Sequence, residues 1–378
     1  MAIFEYPHPD IELGVPREAI EYALAFPSHG MSPHTGVIFY IHGFGFRYND
    51  AYAGKLLPYL ADTYDCIAVS VDYHGARHYH GKGQSRPAPD FFAKLEEHYG
   101  VTVTAPVGTD VWTIVNAVCY QLVNRGVTKL HPECQILSGV EGYANFGVLP
   151  ALDHLQVLGT VLKNHVVDRK RLFVLGTSYG GYIGLLLNKF APNTFRLIVD
   201  NSGFSGPADT LPSLYGMSSS VGAMRLVHRC LVAFSDDPSS PNYLSPSRRM
   251  IRDLAVAAHY HLPSETVLHS YHSETDTVAP TAAKKGLALV LGRRRRYDLR
   301  LISEADIDGR IFKNPKHGMD ASLRGLFDLS YRRWALEAAD PPAITDFDLG
   351  TVNRLPCGEE DYVVTFGGDS VSIAIEPA

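Results

Sequence analysis

Residues 171–182 read Arg-Leu-Phe-Val-Leu-Gly-Thr-Ser-Tyr-Gly-Gly-Tyr and contain the most informative local pattern of the chain. Its first part, 172–175, is a short apolar run that predicts a buried strand. The pattern Gly-x-Ser-x-Gly follows at 176–180, where side chains in place of the two glycines would collide across a tight turn. Apolar residues at helical spacing then continue to Phe190. A strand, a turn and a helix in this order lift the serine hydroxyl clear of a sheet, so Ser178 is the candidate nucleophile.

Apolar runs elsewhere in the chain predict the rest of a sheet. The runs at 37–41 and 66–71 are apolar throughout, and a helix is predicted between them. Strands covered on both faces lose the alternation of polar and apolar residues, so these runs indicate parallel βαβ units. The predicted strands are 20–26, 37–41, 66–71, 172–175, 195–199, 266–270 and 297–302, and the predicted helices are 51–64, 111–123, 149–162, 280–291 and 319–336.

The chain of 378 residues is predicted to form a single α/β domain with additions. Clusters of Gly, Pro and Ser at 204–263, around short apolar helical pieces such as 221–234, predict a cap inserted above the sheet. Segment 76–109 is long, polar and rich in Gly, Pro and His, which indicates a surface excursion. At the end, 345–378 is predicted to be an extension containing a β-hairpin, with strands 362–366 and 371–375 around two glycines.

A serine hydroxyl needs a base to take its proton and a further group to orient that base. Asp276 lies in a loop after the strand 266–270 and shortly before a helix that starts on proline, which favours it as the orienting carboxylate. Glu274 is the alternative candidate for the acid. The alternative to a catalytic role for Asp276 is that it caps the N-terminus of the following helix. His317 lies in a loop before the last helix and is the candidate base. The order Ser, Asp, His is that of α/β-hydrolases.

Acyl transfer also needs hydrogen-bond donors for the oxyanion. The backbone amide of Tyr179, directly after the nucleophile, is one candidate. The loop His42-Gly43-Phe44-Gly45 follows an early strand, and the Phe44 amide is predicted to be the second donor, with Gly45 as the alternative.

Two polar clusters leave alternatives open. His74, His78 and His80, near Asp72, are either solvated loop residues or metal ligands, and no metal is expected. The segments 145–147, Asn-Phe-Gly, and 153–154, Asp-His, belong either to helix capping or to a wall of the active site.

By these motifs the chain is identified as a member of the α/β-hydrolase superfamily. Residues 176–182, Gly-Thr-Ser-Tyr-Gly-Gly-Tyr, resemble the nucleophile segment of prolyl-oligopeptidase-like serine hydrolases. The resemblance implies a mostly parallel, eight-stranded sheet flanked by helices and no cofactor; too few residues precede the first core strand for the β-propeller of the peptidases. Residues 143–147 with Asp153 and His154 resemble a little-characterised bacterial family of unknown function. Some of its members look associated with surface-glycan modification genes, which makes an O-acyl sugar a conceivable substrate.

Composition and charge limit the binding partners that are expected for the protein. A net charge of −6 and a pI near 6.3 give no reason to expect nucleic acid or an acidic membrane surface, and the basic run 293–296 is expected to be a solvated turn. No apolar stretch reaches the roughly 18 residues of a membrane helix, and no secretory signal is recognisable at 1–10. The five cysteines are scattered and odd in number, which fits reduced thiols in a cytoplasmic protein. A small-molecule substrate is expected, and a homo-oligomer is compatible with the sequence.

The leading functional hypothesis is a serine hydrolase that cleaves a carboxylic ester through an acyl-enzyme. An aminopeptidase or dipeptidase is the alternative within catalysis, but it needs acidic residues for the free amine of its substrate, and the sequence does not place such a pair. A binding protein that keeps the fold without the chemistry is the alternative from another class. The substrate depends on the predicted cap and the segment 76–109.

Overall fold

The computed structural model describes residues 2–4, 9–14, 16–76, 86–103, 106, 108–138, 145–206, 218–230, 234, 238, 243–337 and 344–378. The chain divides into two compact units. Unit 1 contains Met1–Arg77, Asn145–Thr210 and Phe234–Ala378, and unit 2 contains His78–Ala144 and Leu211–Ala233.

Unit 1 is built on an eight-stranded sheet. Its strands are β1 (Ala2–Phe4), β2 (Ile20–Ala25), β3 (Gly36–Ile41), β4 (Cys66–Asp72), β7 (Leu172–Thr177), β8 (Leu197–Asn201), β11 (Val267–Ser273) and β12 (Arg296–Ile302). They lie in the order β1-β2-β4-β3-β7-β8-β11-β12. Neighbouring strands from β4 to β12 run parallel, whereas β1 pairs with β2 and β2 with β4 in antiparallel fashion. This mostly parallel sheet confirms the predicted α/β-hydrolase fold class.

Helices connect and cover these strands. The inner strands β3 and β4 are buried along their whole length, as their uninterrupted apolar runs predict. The helices α4 (Val148–Asn164) and α5 (Tyr179–Phe190) are buried on nearly all their faces, so they lie inside the molecule. The helices of unit 1 are α1 (Ala53–Tyr64), α4 (Val148–Asn164), α5 (Tyr179–Phe190), α6 (Pro246–Met250), α7 (Thr281–Leu291), α8 (Leu323–Glu337) and α9 (Asp346–Leu349).

The C-terminal part of unit 1 is a three-stranded antiparallel sheet of β13 (Val352–Cys357), β14 (Glu360–Gly367) and β15 (Ser370–Pro377). It includes the predicted hairpin, to which β13 is added. The turn before β15 packs tightly on α4, because a Cβ on Gly159 would lie 2.2 Å from the carbonyl oxygen of Asp369. Asn353 donates from its side chain to the carbonyls of Lys189 and Phe190 at the end of α5.

Unit 2 has a core of its own. Two helices, α2 (Phe91–Tyr99) and α3 (Val111–Asn124), accompany a four-stranded sheet of order β5-β6-β10-β9. Its strands are β5 (Arg86–Pro87), β6 (Ile136–Ser138), β9 (Ser218–Val221) and β10 (Met224–Cys230). Apolar side chains from α2, α3 and this sheet, including Phe91, Leu95 and Leu226, form one buried cluster.

Unit 2 corrects two expectations. The helical piece predicted at 221–234 is wrong, since β10 occupies half of it and pairs with β9. The reason is visible at Met224 and Leu226, which are buried on either side of an exposed Arg225, the period of a strand. The segment 76–109 is more than a polar excursion, because α2 buries Phe91 and Leu95. The insertion 204–263 as one cap stays a prediction.

Two further sequence expectations concern the chain as a whole. Cys66, Cys119, Cys134 and Cys357 are free and buried. Among the helices of the described ranges, none combines the length and the apolar character needed to cross a membrane.

Candidate active site

Ser178 occupies the sharp turn between β7 and α5. Its backbone has φ +52° and ψ −121°, a region that residues with a side chain rarely adopt. The turn closes because Gly176 and Gly180 lack side chains: a Cβ on Gly176 would lie 2.3 Å from the Gly180 carbonyl oxygen, and one on Gly180 would lie 2.1 Å from that of Ile41. The amide of Ser178 donates to the carbonyl of Asn201 at 2.7 Å, which ties the turn to the end of β8.

A chain of hydrogen bonds links Ser178 to an acid through His317. The Oγ atom of Ser178 lies 2.8 Å from Nε2 of His317, and Nδ1 of His317 lies 2.8 Å from Oδ2 of Asp276. An ionised carboxylate only accepts hydrogen bonds, so the imidazole proton belongs on Nδ1 and Nε2 is left to accept from the serine hydroxyl. The alternative acid, Glu274, is exposed, and the carboxylate in contact with His317 is that of Asp276.

The environment of Asp276 keeps its carboxylate charged. Burial by itself raises the pKa, but the hydrogen bond and charge of His317 and the amide of Ala279 together hold the pKa below its ordinary value. The amides of Val278 and Ala279 both donate to Oδ1 at 2.9 Å, which leaves Oδ2 for His317. A second histidine, His272, lies 3.6 Å from Oδ2, but burial lowers its pKa and favours its neutral form.

Neighbouring loops hold the acid and the base together, through residues that the sequence did not single out. The hydroxyls of Ser273 and Thr275 both donate to the carbonyl of Pro315, two residues before His317. From β8, the side-chain amide of Asn201 donates to the Gly318 carbonyl at 3.3 Å, and the Ser202 hydroxyl accepts from the Gly318 amide at 3.1 Å. The only signal in the sequence was the position of 200–203 at the end of a predicted strand.

The candidate oxyanion donors lie on either side of Ser178. Tyr179 is the first residue of α5, and the first amides of a helix have no partner within it. On the other side, the loop after β3 approaches closely, since a Cβ on Gly43 would lie 3.3 Å from Cβ of Ser178. The rings of the two predicted donor residues, Phe44 and Tyr179, contact edge to face at 5.9 Å between centroids.

Phe146 packs against both donor residues. Its ring is parallel to that of Phe44 at 5.9 Å between centroids and meets the ring of Tyr179 edge to face at 5.8 Å. The backbone here is strained, because Asn145, Phe146 and Gly147 have consecutive φ values of +61°, +47° and +131°. Each left-handed residue other than glycine costs roughly 1–2 kcal/mol, so the surroundings must hold this loop in place.

A buried group of polar side chains stabilises the loop 145–147. We call this group the support network, and it consists of Glu12, Asn145, Arg252 and Tyr362. Arg252 donates to Oε1 of Glu12 at 2.9 Å, to Oε2 at 2.5 Å and to the backbone carbonyl of Asn145 at 2.9 Å. Glu12 also accepts from the side chains of Asn145 and Tyr362. The side chains of Arg252 and Glu12 are fully buried. In addition, Oδ1 of Asn145 accepts from the Leu149 amide at 2.7 Å, in the first turn of α4.

Asp153 and His154 lie inside α4, so they do not cap it. Asp153 is fully buried, accepts from the His74 amide at 2.7 Å and pairs with Arg17. His154 is also fully buried; its Nδ1 lies 2.7 Å from the carbonyl of Pro150, and burial lowers its pKa to about 3. His78 and His80 lie outside the described residues, so the expectation for that histidine loop stays a prediction.

An open cleft of about 510 Å³ adjoins His317. Its wall combines aromatic rings with charged groups, and its lining includes Tyr40, Tyr52, Asp50, Lys313 and Asp320. Oδ1 of Asp50 accepts from the amides of Tyr52 and Ala53 at the start of α1. The arrangement offers room for a polar substrate group beside the imidazole.

Comparison with protein families identifies the group to which the chain belongs. The model described as "Protein of unknown function (DUF2920)" matches residues 4–375. The chain belongs to the DUF2920 family. The resemblance to a family of unknown function is thereby confirmed. A search of curated proteins gives no match to this DUF2920 chain.

Solved structures similar to the DUF2920 chain include a puromycin-hydrolyzing peptidase of Mycobacterium tuberculosis, at 13% identity and a TM-score of 0.44, with 85% of this chain and 38% of the peptidase covered. A thermophilic esterase of Thermogutta terrifontis, Est2, has 12% identity and a TM-score of 0.39, with 84% of each chain covered. Est1E of Butyrivibrio proteoclasticus, solved with ferulic acid, has 14% identity and a TM-score of 0.38, with coverages of 84% and 95%.

Proposed function

We propose that this DUF2920 protein is a serine hydrolase that cleaves a carboxylic ester through an acyl-enzyme. The observation that carries the proposal is the hydrogen-bonded chain from Asp276 through His317 to Ser178, with the serine on a strained turn. A serine hydroxyl becomes nucleophilic when an oriented base accepts its proton. In this series of hydrogen bonds His317 is the base, and Asp276 orients it.

In the first half of the proposed reaction, Oγ of Ser178 attacks the ester carbonyl carbon while its proton moves to Nε2 of His317. The charge that develops on the carbonyl oxygen is stabilised by the amides of Tyr179 and Phe44. The tetrahedral intermediate then breaks its bond to the alcohol oxygen, which takes the proton from His317 and leaves as the alcohol. The acyl group stays on Ser178 as an ester.

In the second half, water attacks the acyl carbonyl and gives a proton to His317. Collapse of this second intermediate breaks the bond to Oγ, returns the proton to Ser178 and releases the carboxylic acid. Asp276 stays ionised throughout and stabilises the imidazolium that forms twice in each cycle.

A specific observation favours an aminopeptidase or dipeptidase as the second candidate. Such an enzyme needs carboxylates for the free amine of its substrate, and Asp50 and Asp320 both line the cleft beside His317. Against it, Asp50 already accepts two backbone hydrogen bonds through Oδ1, as a helix cap does. The ester hypothesis makes no such demand on the cleft and therefore ranks first. An O-acyl sugar is one substrate to include in tests.

A fluorophosphonate probe tests the proposal directly. We expect one equivalent to react with Ser178, identified by mass spectrometry of the labelled peptide, and Ser178→Ala to abolish both labelling and hydrolysis. A panel of acyl esters, acetylated sugars and aminoacyl amides then separates the two candidates. Labelling of a different serine, or hydrolysis that persists in Ser178→Ala, would exclude this mechanism.

A further inference from the structure

Unit 2 contains a cluster of three potential metal ligands that shares no residue with the proposed active site. His98 lies in the last turn of α2, and His131 and Glu133 lie in the turn that precedes β6. One ligand atom from each side chain lies within 4.8 Å of the other two. We propose that His98, His131 and Glu133 bind a divalent transition-metal ion, for which Zn²⁺ is the best fit.

The ligand atoms lie close together, but the stacked rings must turn to bind one ion, because the lone pair of an imidazole nitrogen lies in the plane of its own ring. Nε2 of His98 lies 2.9 Å from Oε2 of Glu133, and the two imidazole rings stack with centroids 3.7 Å apart and planes inclined by 26°. Ligands at about 2.0–2.2 Å from a tetrahedral zinc ion are about 3.4 Å from one another. The three groups thus reach coordination distance by side-chain rotation, and the half-buried His98 and the exposed His131 and Glu133 leave a fourth position open to water.

The charges around the cluster are compatible with a cation. Lys94 lies 3.2 Å from Oε2 of Glu133, but it also lies 2.8 Å from Oε2 of Glu97, one turn along α2. When a metal binds, Lys94 therefore keeps a partner after it leaves Glu133.

The donor set selects among metals. Two imidazole nitrogens and one carboxylate oxygen suit zinc, copper and nickel, while calcium and magnesium require mainly oxygen ligands. Zinc accepts three protein ligands and a water without a strict geometric demand, which matches a site on the surface of one helix and one turn. Bound zinc would join the C-terminal end of α2 to the turn before β6 and thereby stabilise unit 2.

Zinc titration of the full-length protein tests the proposal, with a chromogenic chelator as competitor and metal analysis after dialysis. We expect one Zn²⁺ per chain with a dissociation constant of about 10 μM or below, and His98→Ala and Glu133→Gln each to weaken it at least about tenfold. Cobalt serves as a spectroscopic probe, since its visible absorption bands report nitrogen and oxygen ligands and should be lost in His98→Ala.

A triple variant, His74→Ala with His78→Ala and His80→Ala, is the matched control, because it removes the same kind of ligand from another loop. It should bind zinc with wild-type affinity. The proposal is overturned if the wild type fails to bind zinc at 100-fold the expected constant, if the triple variant loses the site, or if His98→Ala and Glu133→Gln bind as tightly as the wild type. Circular dichroism of each variant shows whether the fold is kept, and His131→Ala provides a further variant of the same site.

Discussion

The two sides of Ser178 in unit 1 differ in exposure and in how they are held. On one side, His317 is reached by solvent, adjoins an open cleft and contacts Asp276 in the loop after β11. The next residue, Gly318, donates its amide to the hydroxyl of Ser202, directly after β8. On the other side, Phe146 lies on Phe44 and Tyr179, above a support network whose central ion pair is fully buried. One side is accessible and polar, and the other is buried and strained.

This difference assigns separate tasks to the two sides in the proposed mechanism. Proton transfer needs a group that a substrate and a water molecule can approach, so the base lies beside the cleft, while the buried acid orients it. Oxyanion stabilisation needs amides that do not move as charge develops, so it gains from rigid packing. Changes on the first side should therefore act on chemistry, and changes on the second should act on stability and geometry.

The largest effect is expected from the acid. Asp276→Asn should leave the fold intact but lower kcat by about 10⁴-fold, because an amide at this position disfavours the tautomer of His317 that can accept the serine proton. Steady-state kinetics on the best ester substrate measures the loss. Glu274→Gln, two residues away and exposed, is the matched control and should change kcat by less than about threefold. Reversed effects of the two variants would show that the acid has been misassigned.

The next effect tests the support network. Arg252→Met removes the cation and leaves the buried carboxylate of Glu12 with fewer donors, so the free energy of unfolding should fall by about 3–5 kcal/mol. Urea denaturation followed by tryptophan fluorescence measures the change. Arg332→Met, in an exposed i,i+4 pair with Asp328, is the control and should cost under about 1 kcal/mol. Equal losses in the two variants would contradict a structural role for the buried pair.

The two sides also differ in how far the sequence could reveal them. Ser178, Asp276 and His317 each follow a strand or precede a helix in a recognisable local pattern, so their positions could be predicted one by one. Glu12 meets Arg252 and Tyr362 across 240 and 350 residues, and no local pattern marks any of them. The helix predicted at 221–234 failed because the alternation at Met224–Leu226 is too short to outweigh an apolar helical interpretation, and the pairing with β9 and β6 decides for a strand.

A smaller effect is expected from Phe146, through which the support network reaches the oxyanion donors. Phe146→Ala opens space between Phe44 and Tyr179, so their amides should be less well aligned. We expect kcat to fall by roughly tenfold to 100-fold with KM nearly unchanged, since loss of one whole donor costs about 10²–10³. Phe146→Leu keeps most of the volume and should restore most of the activity. A rise in KM at constant kcat would place Phe146 in substrate binding instead.

The smallest effect is a pH dependence of stability that originates in α4, the helix that follows the loop 145–147. His154 is fully buried, and burial lowers its pKa to about 3. The unfolded chain therefore binds more protons than the folded one between about pH 3 and pH 6.5, and the free energy of unfolding falls as the pH is lowered through this window. A single histidine contributes a slope of at most about 1.4 kcal/mol per pH unit.

His154→Gln keeps a donor for the Pro150 carbonyl but does not titrate in this window, so its unfolding free energy should depend less steeply on pH than that of the wild type. Urea denaturation at a series of pH values from about 4 to about 6.5 measures how steeply the unfolding free energy of each protein depends on pH. This range lies between the pKa of the buried histidine, about 3, and that of an exposed one, about 6.5. His34→Gln, at an exposed position, is the control and should keep the wild-type slope. If His154→Gln keeps that slope too, protonation of the buried imidazole does not lower stability. The side of Ser178 on which Phe146 packs would then be more accessible to water than its packing implies.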